Sequence, residues 1–347
     1  MNTVAVVAHG PGDLRIEERS TPSVPREGVV VRIAFGGICG SDLHYARSGA
    51  NGDYRLQEPL VLGHELVGYV HAVGGGARNA LPIGTPVAIH PASPCRVPGE
   101  SQGADIHLTP GLTYLGSAAT SPHTQGGFCG AMVVRPEQLH VIPAELDLRR
   151  AVLAEPLAIA LHGIDRARDR ITGARVLVSG AGPIGALVVA ALQERGARHV
   201  TAADIHDLPL VIARKIGADA TLLLTDAEVP SGAFDIVVEC SGVAASFTAA
   251  LDAVRPGGVV IQLGILPATE VATEIWRVQS NEITILGSQR FDGEMPEALE
   301  LLARRTDLAA IVTDIIPAIQ ARDAFRLAAD SSRSGKVVLE WGAFLRE

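Results

Sequence analysis

Cysteine is scarce in this sequence of 347 residues, and its four positions lie far apart, at Cys39, Cys95, Cys129 and Cys240. Such spacing fits no disulfide framework, so we expect a protein of a reducing compartment, the cytoplasm. The N-terminus lacks the basic segment of a secretory signal peptide. One uncharged run, 176–193, approaches membrane-spanning length, but three glycines and a proline interrupt it. We therefore predict a buried strand, a turn and a helix there, and no membrane partner.

Positive charge is also limited. Lys and Arg number 29 against 38 Asp and Glu, for a net charge of −9, and the basic residues are scattered along the chain. This pattern argues against a nucleic-acid partner or an anionic membrane surface. Hydrophobic residues make up 47% and charged residues 19%, as in ordinary globular proteins. The length exceeds what one core usually needs, so two domains are expected.

The pattern of apolar segments changes near residue 150. Before it, short strands broken by Gly and Pro are predicted at 29–35, 67–73, 86–90, 131–134 and 140–142. After it, strands and helices alternate, with strands at 175–179, 199–203, 220–224, 235–239, 258–263 and 283–287 and helices at 184–195 and 208–216. Near-continuous apolar strands with helices between them predict a parallel, doubly wound sheet. After residue 290 only one amphipathic helix, 296–304, and one strand, 336–340, are predicted.

A glycine-bounded stretch, 36–68, combines the side chains of a metal site. It carries Cys39, Ser41 and His44, and then the adjacent pair His64 and Glu65. Thiolate, imidazole and carboxylate are the ligands that bind zinc tetrahedrally, and a catalytic site leaves one position open. Taken singly, Cys39 is interpreted as a small buried hydrophobe and His64 as a core histidine. Taken together, they favour the metal site.

A second motif points to a dinucleotide. The segment S-G-A-G-P-I-G follows a predicted strand and opens a predicted helix, and it comprises Gly180, Gly182, Pro183, Ile184 and Gly185. The glycines permit a tight turn, and the helix N-terminus presents free N–H groups to phosphates. Asp204 ends the next strand, where a carboxylate accepts hydrogen bonds from a ribose 2′-hydroxyl and repels a 2′-phosphate. NAD is therefore favoured over NADP. The alternative for Asp204 is a helix N-cap.

The order of these motifs resembles a known family. G-G-I-C-G-S-D-x-H and G-H-E-x-x-G come first, then A-E-P-L-A, then G-x-G-P-I-G. This order is similar to that of the zinc-containing medium-chain dehydrogenase/reductase superfamily, of the alcohol dehydrogenase type, over essentially the whole chain. Ser41, Glu65 and Glu155 resemble the sorbitol (polyol) dehydrogenase branch. The stretch 116–128, with G-G-I-C-G-S-D-L-H-Y and L-G-S-Q-R-F, resembles the L-idonate 5-dehydrogenase branch most closely.

The resemblance implies an α/β architecture of two parts and a zinc site. A GroES-like, β-rich catalytic domain would comprise 1–150 and 291–347, and a doubly wound Rossmann NAD-binding domain 151–290. Cys39, His64 and a carboxylate, either Glu65 or Glu155, would hold one catalytic zinc ion. The alternative for Glu155 is an acid that favours a helix N-terminus. A homo-oligomer, a tetramer or a dimer, is also implied.

Catalytic and substrate roles follow by the same resemblance. Ser41 and His44 would relay the substrate proton, although His44 could be a plain surface histidine. Ser41 and Glu155 would also contact the substrate. Arg290 is a candidate partner for a substrate carboxylate, but the resemblance also implies a similar arginine in the polyol enzymes, so this residue does not separate an acid from a polyol. His123 is a specificity candidate, with support of its own loop as the alternative.

One departure from the resemblance concerns a second zinc. Relatives carry four cysteines spaced C-x2-C-x2-C-x7-C, and here Cys95 is followed at those positions by Pro98, Ser101 and Thr109. One thiolate cannot close such a site, so no structural zinc is expected. The lobe 91–122 would then depend on its prolines and its packing, or be mobile. Cys129 and Cys240 are interpreted as packing residues.

The expected reaction is the reversible, zinc- and NAD-dependent oxidation of L-idonate at C5 to 5-keto-D-gluconate. A polyol dehydrogenase acting on sorbitol or xylitol with the same zinc chemistry is the nearest alternative. A zinc-free reductase is disfavoured because it would not need the whole ligand set. A non-catalytic dinucleotide-binding protein is the alternative from another class.

Overall fold

The computed structural model describes residues 2–93, 106–267 and 269–342. Cys95, Pro98 and Ser101, on which the expectation about a second zinc depends, lie outside the described residues. The strands run, in chain order, β1 Asn2–Gly10, β2 Asp13–Ser20, β3 Val29–Gly37, β4 Ala50–Asn51, β5 Tyr54–Arg55, β6 Leu60–Val61, β7 Glu65–Val73, β8 Pro86–Ile89, β9 Ala92–Ser93, β10 Thr113–Tyr114, β11 Ala131–Val134, β12 Leu139–Val141, β13 Arg175–Ser179, β14 His199–Asp204, β15 Ala220–Leu223, β16 Phe234–Glu239, β17 Val254–Gln262, β18 Thr284–Gly287, β19 Val312–Pro317 and β20 Lys336–Glu340.

The helices between them are α1 Gly40–Ser48, α2 Leu148–Ala151, α3 Ala154–Asp165, α4 Arg168–Ile171, α5 Pro183–Glu194, α6 Asp207–Ile216, α7 Ala244–Ala253, α8 Trp276–Ser280, α9 Met295–Arg304 and α10 Ala321–Ala328. Short 3-10 helices cover Ile106–Leu108, Pro136–Gln138, Thr306–Ile311 and Ala318–Gln320. No helix among the described residues is long and apolar enough to cross a bilayer. The uncharged run 176–193 forms most of β13 and α5, as predicted.

One sheet joins the first and last parts of the chain. Its strands lie in the order β12-β8-β7-β3-β20-β19, and β11 also pairs with β3. β3 pairs antiparallel with both β7 and β20, which places the start of β7 and the start of β20 near the end of β3. The residues that follow β3 and those that begin β7 and β20 therefore meet at one place.

The middle of the chain forms a six-stranded parallel sheet in the order β15-β14-β13-β16-β17-β18. This is the doubly wound architecture predicted from the alternation of strands and helices, and its strand order reverses between β13 and β16. Helix α6 is capped by Gly217, whose φ of 106° is left-handed, the conformation that favours glycine at a helix C-terminus. Ligands of such sheets bind in the crevice at the carboxyl ends of the strands, where the order reverses.

The expected content of the last segment was wrong. Besides α9 and β20, the chain after residue 290 forms β19 and α10. Every residue of β19 is at least partly exposed, so the segment V-T-D-I-I-P lacks the continuous apolar run of a buried strand. Helix α10, A-R-D-A-F-R-L-A, buries Ala321, Ala324 and Phe325, which stand at helical spacing in the sequence, so this amphipathic segment of eight residues was overlooked although its pattern was present.

Candidate metal and dinucleotide site

Asp42 ties together the two loops that carry the predicted metal ligands. Cys39 is the N-cap of α1, and the Asp42 carboxylate, fully buried, accepts hydrogen bonds from the backbone N–H of Cys39 at 3.0 Å and of Gly63 at 3.0 Å. Burial raises the pKa of Asp42 above its usual range. One carboxylate thus holds Cys39 and the residue before His64 in a fixed relation.

The structure brings three of the four proposed ligands into one cluster. One ligand atom from each of Cys39, His64 and Glu65 lies within 4.8 Å of the others, and His64 and Glu65 are buried. A thiol sulfur, an imidazole nitrogen and a carboxylate oxygen at this spacing fit a single zinc ion, so the donor set agrees with the prediction. Burial opposes protonation of His64, but Cys39 and Asp42 more than offset it and raise its pKa. The cluster is an environment that favours a cation.

Lys336 is a residue of this site that sequence reasoning missed. Its ammonium, only 3% exposed, donates to both carboxylate oxygens of Glu65 at 2.6 and 2.8 Å and to the carbonyl oxygen of Ile38 at 3.1 Å. Burial lowers the pKa of Lys336, but the charge of Glu65 more than compensates and raises it. One signal in the sequence could have identified it: Lys336 is the first residue of a predicted apolar strand, and the chain has only one other lysine, Lys215.

Glu155 lies beside this cluster in the first turn of α3, 4% exposed. Its Oε1 accepts a hydrogen bond from the Tyr114 hydroxyl at 2.5 Å. Burial raises the pKa of Glu155 to about 7, and Glu65 adds to the rise, while His64 and Tyr114 counteract it. Glu155 is therefore part of the site and not merely an acid at a helix N-terminus.

Tyr114 is the second residue that the sequence did not reveal. Its ring lies 5.6 Å from the His64 ring, between centroids, and the Arg290 guanidinium carbon lies over it at 4.6 Å. Arg290 has a left-handed φ of 55° and forms no ion pair with an acid that the structure describes. Tyr114 thus connects Glu155 to the cation proposed for the substrate.

Ser41 and His44 occupy the first half of α1, one helical turn apart, so their side chains lie on neighbouring positions of its surface. His44 is on the exposed side of the helix, and its pKa is lowered by partial burial and by Arg47. A cavity of about 630 Å³ lies beside it, with Leu43, Arg47 and Arg322 among its lining residues. The position of His44 suits the outer end of a proton path.

His123 is held by hydrogen bonds to Gln57, Glu58 and Thr120. It is 5% exposed, its Nε2 accepts a hydrogen bond from Gln57 N–H at 2.8 Å, and its Nδ1 is 2.9 Å from the Thr120 carbonyl oxygen. Its backbone N–H donates to Glu58. Both ring nitrogens are therefore taken by the backbone of its own region, so the structure favours the loop-supporting alternative.

The glycine-rich turn lies between β13 and α5, as predicted. Gly182 is the N-cap of α5 and Pro183 its first residue, followed by Ile184 and Gly185. A Cβ on Gly185 would overlap the Gly180 carbonyl oxygen, and a Cβ on Gly180 would lie 2.8 Å from the Ser241 nitrogen. A Cβ on Gly182 would meet nothing within 4 Å. Two of the glycines are thus needed for packing, and Gly182 faces open space where a phosphate can approach.

Asp204 ends β14 next to this turn. Its Oδ2 accepts from Ala181 N–H at 2.8 Å, and its Oδ1 accepts from His206 N–H at 3.0 Å. The N-cap of α6 is His206, so Asp204 does not have the alternative role of a helix N-cap. The carboxylate is instead held against the glycine-rich turn.

A thiolate–imidazole–carboxylate cluster together with a glycine-rich strand–turn–helix defines a class: metal-dependent oxidoreductases that use a nicotinamide cofactor. Residues 25–144 match the family described as "Alcohol dehydrogenase GroES-like domain", and residues 183–304 match "Zinc-binding dehydrogenase". The chain belongs to this zinc-binding alcohol dehydrogenase family, and it is an oxidoreductase.

Individual relatives are similar over nearly the whole chain. L-idonate 5-dehydrogenase (NAD(P)(+)) of Escherichia coli is 32% identical, over 98% of this chain and 99% of its own. Sorbitol dehydrogenase of Gallus gallus is 34% identical, over 93% and 92%. The crystal structure of L-idonate 5-dehydrogenase from Escherichia coli K-12 superposes with a TM-score of 0.90 at 31% identity, over 98% and 99%. A putative zinc-binding dehydrogenase from Sinorhizobium meliloti bound to NADP gives 0.87 at 26%, over 98% and 99%.

Proposed function

We propose that this protein oxidises L-idonate at C5 to 5-keto-D-gluconate, reversibly, with NAD as the hydride acceptor. The observation that carries the sugar-acid assignment is the 32% identity to L-idonate 5-dehydrogenase over 98% of this chain, and the residue proposed to meet the substrate carboxylate is Arg290. Its guanidinium lies over Tyr114, which donates to Glu155, and it forms no ion pair with a described acid. A cation without an acidic partner next to the reacting centre is suited to meet a substrate carboxylate. The similarity to L-idonate 5-dehydrogenase supports the same substrate.

Cys39, His64 and Glu65 are the residues that would hold the zinc, because their ligand atoms converge within 4.8 Å. When bound, zinc supplies a Lewis acid for the substrate hydroxyl, and the nicotinamide supplies the hydride acceptor. Glu155 would contact the substrate or join the ligands, and the hydrogen bond from the Tyr114 hydroxyl supports its orientation. Lys336 balances the charge of Glu65.

Ser41 and His44 would move the hydroxyl proton to solvent. Ser41 is in the first turn of α1, two residues after Cys39, and His44 is one turn further on the exposed side. A neutral imidazole is needed to accept a proton, and the lowered pKa of His44 favours that form at neutral pH. General-base relays of this kind contribute about 10²–10⁴-fold in rate.

NAD is proposed over NADP because of Asp204. Its carboxylate is held beside the glycine-rich turn by Ala181 and His206 backbone N–H groups. In this place a carboxylate favours a ribose 2′-hydroxyl and repels a 2′-phosphate. We also propose, from the family resemblance, that the protein is a homo-oligomer.

A polyol dehydrogenase is the second candidate, because sorbitol dehydrogenase of Gallus gallus is 34% identical to this chain. Turnover of L-idonate and of sorbitol, followed as NADH formation under identical conditions, separates the two. We expect kcat/KM to be at least about tenfold higher for L-idonate, since one desolvated charge pair accounts for such a ratio. A preference for sorbitol would contradict the sugar-acid assignment and leave the zinc chemistry intact.

The variant Arg290→Met sharpens this comparison. We expect it to lower kcat/KM for L-idonate by about 10–100-fold and to change that for sorbitol by less than about threefold, because only the acid loses a charge partner. Arg149→Met removes an exposed guanidinium of α2 and serves as the control. Equal losses for both substrates in Arg290→Met would favour the polyol alternative.

A further inference from the structure

Glu239 is a buried carboxylate that the proposed reaction does not use. It ends β16, one of the two strands between which the strand order reverses, and it is fully buried. Its Oε1 accepts from the N–H of Ser241 at 2.8 Å and from the Ser241 hydroxyl. Its Oε2 accepts from Gly242 N–H at 3.1 Å and from Gln262 Nε2 at 2.7 Å. These four donors satisfy a charge that would otherwise be costly to bury.

Gln262 extends this network to the next strand. It ends β17, and its Nε2 donates to the Gly264 carbonyl oxygen at 2.7 Å as well as to Glu239. Both partners are acceptors, so the orientation of the amide is fixed. Its Oε1 is buried and has no hydrogen-bond partner in the part of the chain that the structure describes. The carboxylate of Glu239 therefore links the loop after β16 to the loop after β17.

These two loops pack directly against each other and against the glycine-rich turn. A Cβ on Gly264 would overlap the nitrogen of Gly242, and a Cβ on Gly180 would lie 2.8 Å from the nitrogen of Ser241. A shift of the backbone at Ser241 and Gly242 must therefore be accommodated by the turn that begins at Gly180. Because this turn and these loops form the rim of the crevice, their spacing determines the shape of the cofactor site.

We propose that Glu239 is a positioning residue for the nicotinamide cofactor. Through Ser241, Gly242 and Gln262 it sets the spacing of the loops after β13, β16 and β17, without contact to the reacting atoms. This inference rests on the dinucleotide site of the proposed function. It predicts that a change at Glu239 acts on cofactor affinity and not on the chemical step.

The test is the Kd for NADH, from fluorescence titration, in Glu239→Gln. The glutamine amide keeps the shape of the side chain, but its NH2 group replaces a carboxylate oxygen that accepts a hydrogen bond. Two donors then face each other, the new NH2 group and the N–H of Gly242 or the amide of Gln262. We expect the Kd for NADH and the KM for NAD to rise about tenfold or more, with kcat at saturating NAD within about twofold and zinc content unchanged. Asp235→Asn is the matched control, because it also replaces a carboxylate of β16 by an amide. Asp235 lies at the opposite end of that strand, where it accepts hydrogen bonds from Arg175 N–H and the Arg255 side chain.

A further variant keeps the test decisive if Glu239→Gln does not fold. Gln262→Ala removes one donor to Glu239, and we expect a rise of about threefold in the Kd for NADH. An unchanged Kd for NADH in Glu239→Gln or Gln262→Ala would overturn the positioning role. Parallel losses of zinc content, kcat and cofactor binding would overturn it too, and either result would leave the proposed function intact. Wild-type protein that binds neither NADH nor NADPH would overturn the proposed function together with it.

Discussion

At the residue level, the buried carboxylates of the site have hydrogen-bonding partners within the protein. Glu65 is paired with Lys336, and Glu155 with the hydroxyl of Tyr114. Cys39, His64 and Glu65 were predicted because their chemical types recur in zinc sites. Lys336 and Tyr114 were not predicted, because their partners are distant in the sequence and such pairs leave no local pattern. Lys336 is 271 residues from Glu65, and Tyr114 is 41 residues from Glu155. Side chains that ligate are thus easier to predict than side chains that support them.

Removal of Lys336 tests this charge balance. In Lys336→Met, the buried carboxylate of Glu65 loses its partner, and breaking such a pair costs about 3–5 kcal/mol. Zinc can compensate the charge, so we expect the Tm of the metal-free protein to fall more than that of the zinc-loaded protein. Calorimetry of both forms measures this, with Lys215→Met on the exposed side of α6 as the control. Equal shifts in the two forms would contradict the role of Lys336 at the metal site.

Two substitutions of Tyr114 separate its two contacts. Tyr114→Phe removes the donor to Glu155 and keeps the ring under Arg290, so we expect kcat to fall about tenfold while KM for L-idonate stays within about twofold. Tyr114→Leu removes the ring as well, and we expect KM for L-idonate to rise in addition. Steady-state kinetics with both variants checks this. Identical kinetics in the two would show that the aromatic ring does not position Arg290.

At the level of elements, the strands of the parallel sheet were predicted closely. β13 has the predicted bounds, and the others differ by a few residues at their ends. Continuous apolar strands separated by amphipathic helices produce an unambiguous pattern, because both faces of the sheet are covered. β19 was missed because it has no fully buried residue, and α10 was overlooked because its amphipathic pattern extends over only eight residues. The N-terminal hairpin of β1 and β2 was also not predicted.

The glycine-rich turn allows a contrast between two substitutions of the same kind. Gly185→Ala places a Cβ against the Gly180 carbonyl oxygen, so we expect a loss of about 1–3 kcal/mol in stability. Gly182→Ala meets no neighbouring atom, so we expect an unchanged Tm and a weaker Kd for NADH. Thermal unfolding and NADH titration of both variants test this. A destabilised Gly182→Ala, or a Gly182→Ala that binds NADH normally, would contradict the place given to the phosphates.

The packing of β12 on β8 makes stability depend on pH. Burial, together with the smaller effect of nearby His90, lowers the pKa of His140 to about 4. Between pH 6.5 and 4 the unfolded chain binds a proton at this position that the native protein does not, so stability falls as the pH falls. We expect a contribution of up to about 2 kcal/mol, reduced by the partial exposure of the ring. Urea unfolding of wild type and His140→Gln across this range should show a smaller loss in the variant, and parallel curves would refute it.

At the level of the whole molecule, the chain returns to the sheet of β3 and β7 through β19 and β20. Helix α9 nevertheless packs on α3, among the helices that cover the parallel sheet. The domain boundaries at residues 150 and 290 stay a prediction. Sequence patterns identify which residues form each sheet, but the side on which a connecting helix packs depends on contacts with distant parts of the chain.

The absence of a structural zinc also stays a prediction, since it concerns residues outside the described ranges. It is argued from the single cysteine among the four positions of the C-x2-C-x2-C-x7-C spacing. It implies that all protein-bound zinc belongs to the cluster of Cys39, His64 and Glu65. Zinc content and activity should therefore vary together.

The most direct measurement is zinc content and NADH-forming turnover of L-idonate on the same preparations of wild type and Cys39→Ser. We predict about one zinc ion per wild-type chain, and a loss of zinc and of at least about 99% of turnover together in the variant. Chelation of the wild type should abolish turnover, and added zinc should restore it. Full turnover in Cys39→Ser, or in metal-free wild type, would contradict the assignment of a catalytic zinc to this cluster.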